Sequence, residues 1–241
     1  MAGLGTRVLQ RGSSKPLIQI RKVPVVQWCL RGILSHLRSG DHVIAVTRRG
    51  TPVHAEIESL VRQFLEHNRI TGAVTNTVVD QLPLGPAHSA LIGLRCAEPD
   101  WPAVIVNPDQ FCQFTFPDWS DPWDAFVPIN FSASRERSYV TLVVESEHYL
   151  LNQFSEKRQQ TPFVSVGIYG FRRGSRAIYC IEEAMRGKPH HNEEYFVAPS
   201  LEHLTRSGGS VWPTEVLAKY DLGDIKGLDQ FETLVKAMQE Q

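Results

Sequence analysis

Three short stretches of the sequence carry residue types suited to handling phosphate. The first is Gly3-Leu4-Gly5-Thr6-Arg7, followed by Ser14-Lys15-Pro16-Leu17. Two glycines around one residue let a backbone turn tightly and direct its N–H groups at an anion. An arginine fork and a lysine point charge beside such amides can together bind a triphosphate. The second stretch is Asn107-Pro108-Asp109, at the end of the apolar run AVIVN. A carboxylate at the carboxyl end of a parallel strand faces the crevice where open α/β sheets bind ligands, and can hold Mg²⁺ through one oxygen. The third is Tyr220-Asp221-Leu222-Gly223, a further carboxylate beside a glycine. Protein-bound Mg²⁺ takes one or two carboxylates plus substrate phosphates, so Asp109 and Asp221 gain meaning together if the fold unites them. Taken singly, each stretch reads equally as a turn or a helix cap.

Several other chemistries fail on spacing. The dinucleotide fingerprint G-x-G-x-x-G would require glycine where Val8 stands, and the sequence does not fit G-x-x-x-x-G-K-[ST]. Pro16 biases Lys15 toward an extended backbone, which would hold the lysine stem in one direction. A phosphate loop needs a strand ahead of it; the chain begins at Met1, where the last residues of such a strand should stand, so the loop is expected to be cut short or remodelled. His190, His191, Glu193 and Glu194 lack the i, i+4 helical spacing of a metal pair and read as a solvated polar loop. Trp119 and Trp123 could stack on a sugar or a base, and equally serve as core or lid. There is no G-x-S-x-G elbow.

The elements that must position these residues follow from periodicity. From Pro24, PVVQWCLRGILSHL places apolar side chains at 25, 26, 29, 30, 33, 34 and 37, one helical face with proline in its first turn. HVIAVT reads as a strand, PVHAEIESLVRQFLEH as a helix, GAVTNTVV as a strand, PAHSALIGLRC as a helix and AVIVN as a strand. Such alternation indicates βαβ units and a mainly parallel sheet. The stretch FCQFTFPDWSDPWDAFVPINF shows no helical periodicity. Beyond it, SYVTLVVE and PFVSVGIYGF read as strands, with helices near 175–186, 198–205 and 228–238.

At 241 residues the length suits one large domain, with no internal repeat or linker. The 25 Lys and Arg against 26 Asp and Glu give a net charge of −1, which supplies no global pull toward nucleic acid or an anionic membrane. Cys29, Cys96, Cys112 and Cys180 form no C-x-x-C pair and suit buried reduced thiols. With no apolar run of roughly 20 residues and no signal-peptide core, a cytoplasmic protein is expected.

Read together and in order, "GLGTR", "KPLI", "QW", "GPAHSAL", "VNPDQF", "SEKR", "SVGIYGF", "NEEYFVAP" and "YDLGD" resemble the sugar-1-phosphate nucleotidyltransferases over nearly the whole chain. The resemblance is greatest to the short, single-domain members associated with capsule or lipopolysaccharide synthesis. It implies a Rossmann-like α/β three-layer sandwich with a mainly parallel mixed sheet. One domain would span 1–241, with a nucleotide-binding half over about 1–110 and an acceptor-binding half with the C-terminal helix over about 111–241. The implied reaction is Mg²⁺-dependent transfer from a nucleoside triphosphate to a sugar 1-phosphate or similar phosphorylated molecule, releasing pyrophosphate.

The same resemblance implies roles for individual residues. Gly3, Gly5, Thr6 and Arg7 would wrap the triphosphate, with Arg7 on the departing pyrophosphate and Lys15 on phosphate oxygens. Gln81 and Gly85 would lie by the base. Asp109 and Asp221 would hold Mg²⁺. Glu156 would hold a sugar hydroxyl and Lys157 the acceptor phosphate, with Gly167 and Glu193 lining the acceptor pocket. The expected partners are the two substrates alone, with no nucleic acid or membrane, and a homo-oligomer is compatible with the resemblance. Three departures stand out: Val23 replaces a lysine before Pro24, Arg158 replaces a proline after Glu156-Lys157, and the stretch from Arg7 to Lys15 is short. They keep two alternatives open, a nucleotide-sugar glycosyltransferase, which would want a D-x-D motif, and a degenerate relative that binds without turnover.

Overall fold

The computed structural model describes residues 14–132, 137–145 and 148–239. The chain divides into two compact units. The first comprises Met1–Leu82, Asn107–Gln113 and Leu217–Gln241, and the second Pro83–Val106 and Phe114–Val216. The loop residues Gly3, Gly5, Thr6 and Arg7 lie outside the described residues.

In the first unit, strands β1 (Gln19–Ile20) and β2 (Val23–Pro24) form a hairpin. Its turn residues Arg21 and Lys22 both have positive φ, as a two-residue hairpin of matching twist demands. Helix α1 (Val25–Gly32) follows, shorter than its apolar spacing predicts, and Pro24 is its cap residue rather than part of its first turn. Strand β3 (His42–Arg48), helix α2 (Pro52–His67) and strand β4 (Ala73–Val79) complete a βαβ unit. The two strands pair in parallel from His42↔Ala73 to Arg48↔Val79. Helix α2 starts where its sequence signals say: the Thr51 hydroxyl accepts from the His54 amide and Pro52 opens the first turn. One apolar cluster joins Val26 and Leu30 of α1 to Ala45, Val74 and the Ile57, Val61, Phe64 and Leu65 face of α2.

In the second unit, α3 (Pro86–Leu94) precedes β5 (Ala103–Val106) and β7 (Ala125–Phe131); between these two strands in the chain comes β6 (Gln110–Phe114), which belongs to the first unit as far as Gln113. The unit continues with β8 (Ser138–Glu145), β9 (His148–Glu156), β10 (Phe163–Ser165), β11 (Ile168–Phe171), α4 (Gly174–Arg186) and α5 (Val197–Arg206). Its strand order is β5-β11-β7-β10-β8-β9, every neighbour antiparallel. Strand β12 (Val211–Asp221) pairs in parallel with β7 over residues 211–215. The fold is mixed α/β as expected; among the described residues β3–β4 and β7–β12 pair in parallel. The alternation ends at residue 106; beyond it β8 and β9 form a hairpin, and the pairs β5–β11, β7–β11, β7–β10 and β8–β10 run antiparallel between strands that are not neighbours in the chain.

Strand β12 carries the chain into the first unit, where helix α6 (Ile225–Gln239) ends the description. No helix among the described residues is long and apolar enough to cross a membrane. The cysteine reading needs one correction: Cys29, Cys112 and Cys180 are buried, but Cys96 is exposed, just past the end of α3.

Candidate active site

The first unit unites three of the residues singled out from sequence. The Lys15 ammonium lies 3.1 Å from Oδ2 of Asp109. A side chain at Gly223 would begin 2.8 Å from Asp109 Oδ2, 3.1 Å from Asp221 Oδ1 and 3.3 Å from Lys15 Nζ. Both carboxylates and the ammonium therefore face one point, and the missing side chain at 223 keeps that point open.

Backbone bonds hold the two acidic segments together. The Leu222 amide donates to the Asp109 carbonyl over 2.8 Å, which clamps the two acidic segments together. The Gly223 amide donates to Asp221 Oδ1 over 3.2 Å. Asp224, the second acid of D-L-G-D, has a different task. Its carboxylate accepts from the Gly227 amide at 2.8 Å and caps the start of α6. Behind the acids, Phe111 and Tyr220 each pack a ring on Phe231 of α6, at 5.2 Å and 5.3 Å, and Trp28 meets Phe231 edge-on at 5.1 Å. Phe111 is two residues from Asp109 and Tyr220 adjoins Asp221, so packing of these partly buried rings fixes the backbone that carries the acids.

Lys15 corrects one expectation. It opens a tight 3-10 turn over Lys15–Leu17, and the extended residue is Ser14. The turn bonds from Leu17 N to Ser14 O and from Ile18 N to Lys15 O outweigh the bias that Pro16 imposes on its neighbour. The Lys15 side chain is 18% exposed and that of Asp109 34%, against 64% and 73% for the surface pair Arg49 and Asp80. Water screens the inner pair less. Close by, the Cys29 thiol donates to the Asn107 carbonyl. Burial, and then the negative charge of Asp109, push that thiol up to about 12, so it stays neutral beside the acids.

The remaining site candidates fall elsewhere. Gln81 is exposed, past the end of β4 in the first unit. Gly85, Glu156, Lys157, Gly167 and Glu193 belong to the second unit. Gly85, with φ of +103°, caps α3 and lies against the Tyr195 backbone, whose oxygen is 2.6 Å from where a Cβ would stand. The bonds Tyr195 N to Leu84 O and Ala87 N to Tyr195 O show that "GPAH" and "EEYF" are one built corner. Glu193 is exposed in the tight turn of that segment, with φ of +59°, and the flanking His191 and Glu194 bridge across it. Among the described residues no group of three or more His, Cys, Asp or Glu is placed to hold a metal ion together.

Glu156 sits in a buried polar network that sequence reasoning missed. Ser138, its cross-strand partner on β8, donates to its carboxylate. Tyr169 of β11 is within hydrogen-bond distance of Ser165 at 2.8 Å, and its hydroxyl feels the Glu156 charge. Burial foremost raises the Tyr169 phenol to about 12. Gly167, with φ of +76°, turns the chain between Ser165 and Tyr169. The positional clue was available, since Ser138 and Glu156 are bracketed by two strand-forming runs, but their pairing needs the register. Of the two tryptophans, Trp123 is buried and Trp119 half exposed, with the Arg172 guanidinium 4.3 Å and 5.7 Å from their ring centres.

No protein-family model matches the sequence, and no curated protein matches it. Solved structures do match its shape. A nucleoside-diphosphate-sugar pyrophosphorylase from Vibrio cholerae RC9 superimposes with a TM-score of 0.82 at 17% identity, over 97% of this chain and 98% of that one. UDP-glucose pyrophosphorylase in complex with UDP-glucose gives 0.73 at 16% identity, over 98% and 96%. The inositol-1-phosphate CTP transferase from T. maritima gives 0.70 at 13%, over 99% and 94%. The chain has the fold shared by nucleotide-sugar pyrophosphorylases and sugar-phosphate nucleotidyltransferases.

Proposed function

We propose that the protein is a nucleotidyltransferase that moves a nucleotidyl group from a nucleoside triphosphate to a sugar 1-phosphate or similar phosphorylated small molecule, releasing pyrophosphate. The observation that carries this reading is the convergence of Asp109, Asp221 and Lys15 on the space left by Gly223. Two hard oxygen donors facing one open point fit Mg²⁺, which takes a few carboxylate oxygens and leaves its other positions to phosphate and water. When bound, Mg²⁺ neutralises phosphate charge and steadies the oxygens that exchange at phosphorus.

The chain's own residues supply the remaining work. Lys15 places a positive charge beside phosphate oxygens, and Arg7 answers the charge that builds on pyrophosphate. Glu156, fixed by Ser138, accepts from a sugar hydroxyl, and Lys157 meets the acceptor phosphate. Gly167 and Glu193 line the acceptor pocket, while Gln81 and Gly85 stand by the base. No general base is needed, because a phosphate monoester is already ionised near pH 7 and its oxygen attacks the α-phosphorus directly. The product is an activated sugar for surface polysaccharide made in the cytoplasm.

The test is pyrophosphate release with Mg²⁺ across four nucleoside triphosphates and a panel of sugar 1-phosphates, beside Asp109→Asn and Asp221→Asn. Release that falls by about a hundredfold or more in each variant supports the reading. Release of a nucleoside diphosphate from a nucleotide sugar would replace it with a glycosyltransferase. Nucleotide binding without turnover would replace it with a degenerate binder.

A further inference from the structure

Two carboxylates facing one point repel each other unless a cation stands between them. In this structure Lys15 supplies that cation: its ammonium is 3.1 Å from Asp109 Oδ2 and within 3.3 Å of the point that Asp221 also faces. We propose that Lys15 is the resting occupant of the divalent-cation site, and that a metal ion binds only by displacing its ammonium from Asp109. The inference rests on the reading of Asp109 and Asp221 as metal ligands.

The local structure suits an exchange of this kind. The Lys15 backbone is anchored, since its turn is closed by the bonds Leu17 N to Ser14 O and Ile18 N to Lys15 O, and the Ile18 carbonyl in turn accepts from Val25 N at the start of α1. Pro16, next in the chain, is buried. The ammonium sits on four rotatable bonds beyond that fixed point, so it can swing while the backbone stays in place. Gly223 puts no side chain in the path of the swing on the side the acids face.

The displaced ammonium then seeks a new anion, and a nucleotide's phosphate is the anion that this site receives. Metal and phosphate thereby favour each other through one side chain: the metal frees Lys15 for phosphate, and phosphate draws Lys15 off Asp109. Such coupling is reciprocal by thermodynamic necessity. A metal ion without nucleotide meets a competitor already in place.

The experiment titrates the full, nucleotide-free chain with Mn²⁺ and follows the free ion by electron paramagnetic resonance. Lys15→Gln should bind Mn²⁺ about tenfold more tightly than the wild type, the scale expected for removing a competing charge from a partly buried site. Lys15→Met, which keeps the stem, should do the same. Lys226→Gln removes an equal charge from the exposed first turn of α6 and should change affinity less than about twofold. Unchanged or weaker Mn²⁺ binding in both Lys15 variants, while Asp109→Asn still abolishes it, overturns the displacement alone. If Asp109→Asn and Asp221→Asn leave Mn²⁺ binding untouched, the metal-site reading fails and this inference fails with it.

Discussion

The carbonyl oxygen of Asp221 lies 1.8 Å from where a side chain on Gly227 would begin. Helix α6 is thus pressed against the backbone of a candidate metal ligand, and a methyl group on Gly227 would force the two apart. Gly227→Ala should lower the melting temperature by several degrees. It should also cut pyrophosphate release by about a hundredfold, since an ångström of misplacement suffices for that loss. Calorimetry and the release assay on one preparation check both effects.

Gly223→Ala should separate those effects. The nearest atoms to its added methyl are the side-chain tips Asp109 Oδ2, Asp221 Oδ1 and Lys15 Nζ, which can turn aside. The expected result is a melting temperature within about 2 °C of the wild type, because only polar side-chain tips at a partly exposed site move. Mn²⁺ affinity should fall by about tenfold or more as the oxygens are driven from their common point.

Tyr169→Phe keeps the ring and deletes the hydroxyl that meets Ser165. Leaving that buried partner unsatisfied should cost about 1–2 kcal/mol by urea denaturation. If Glu156 holds the acceptor, the variant should raise KM for the sugar phosphate several-fold and leave KM for the nucleoside triphosphate unchanged. A uniform fall in kcat with both KM values intact would assign the network to stability alone.

Alkaline pH should destabilise the fold. Burial raises Cys29 and Cys180 from 9.0 to about 12, Cys112 from 9.0 to about 11 and Tyr169 from 10.0 to about 12. Each group stays protonated in the folded chain after it has ionised in the unfolded one. The unfolded state then binds fewer protons, so stability is full below about pH 9 and declines from there toward pH 12. Urea midpoints at pH 7, 8.5 and 10 should be flat between the first two and lower at the third. At pH 8 a thiol reagent should label Cys96 quickly and the three buried cysteines only on unfolding.

Legibility in the sequence followed the strength of local patterns. Helix α2 and strand β8 fall on the residues that periodicity marks, because Thr51-Pro52 caps the one and a β-branched run makes the other. Strand β12 escaped notice although it carries Asp221. Pro213 interrupts its ladder, and proline ordinarily argues against an inner strand. Strand β9 escaped because its Asn152 is an extra residue between the pairs Thr141↔Gln153 and Leu142↔Leu151, which breaks the alternation that would reveal it. For the site, the residue types of Asp109, Asp221 and Lys15 were visible, but their meeting was not. It depends on the Leu222 to Asp109 backbone bond and on aromatic packing around Phe231, neither of which leaves a local pattern. Gly223 was quoted as part of a motif, and only the structure gives its reason.

The clamp between Leu222 and Asp109 has a consequence for biosynthesis. Lys15 and Asp109, 94 residues apart, leave the ribosome well before Asp221 and Leu222 do. Until those last residues emerge, Asp109 lacks the amide that fixes its carbonyl and the second acid that faces the same point. A nascent chain, or one clipped by a protease before β12, carries Lys15 and Asp109 yet lacks the second carboxylate and the Leu222 amide that complete the candidate site. The pairing of the two acids is therefore completed as a single late event in the making of each molecule.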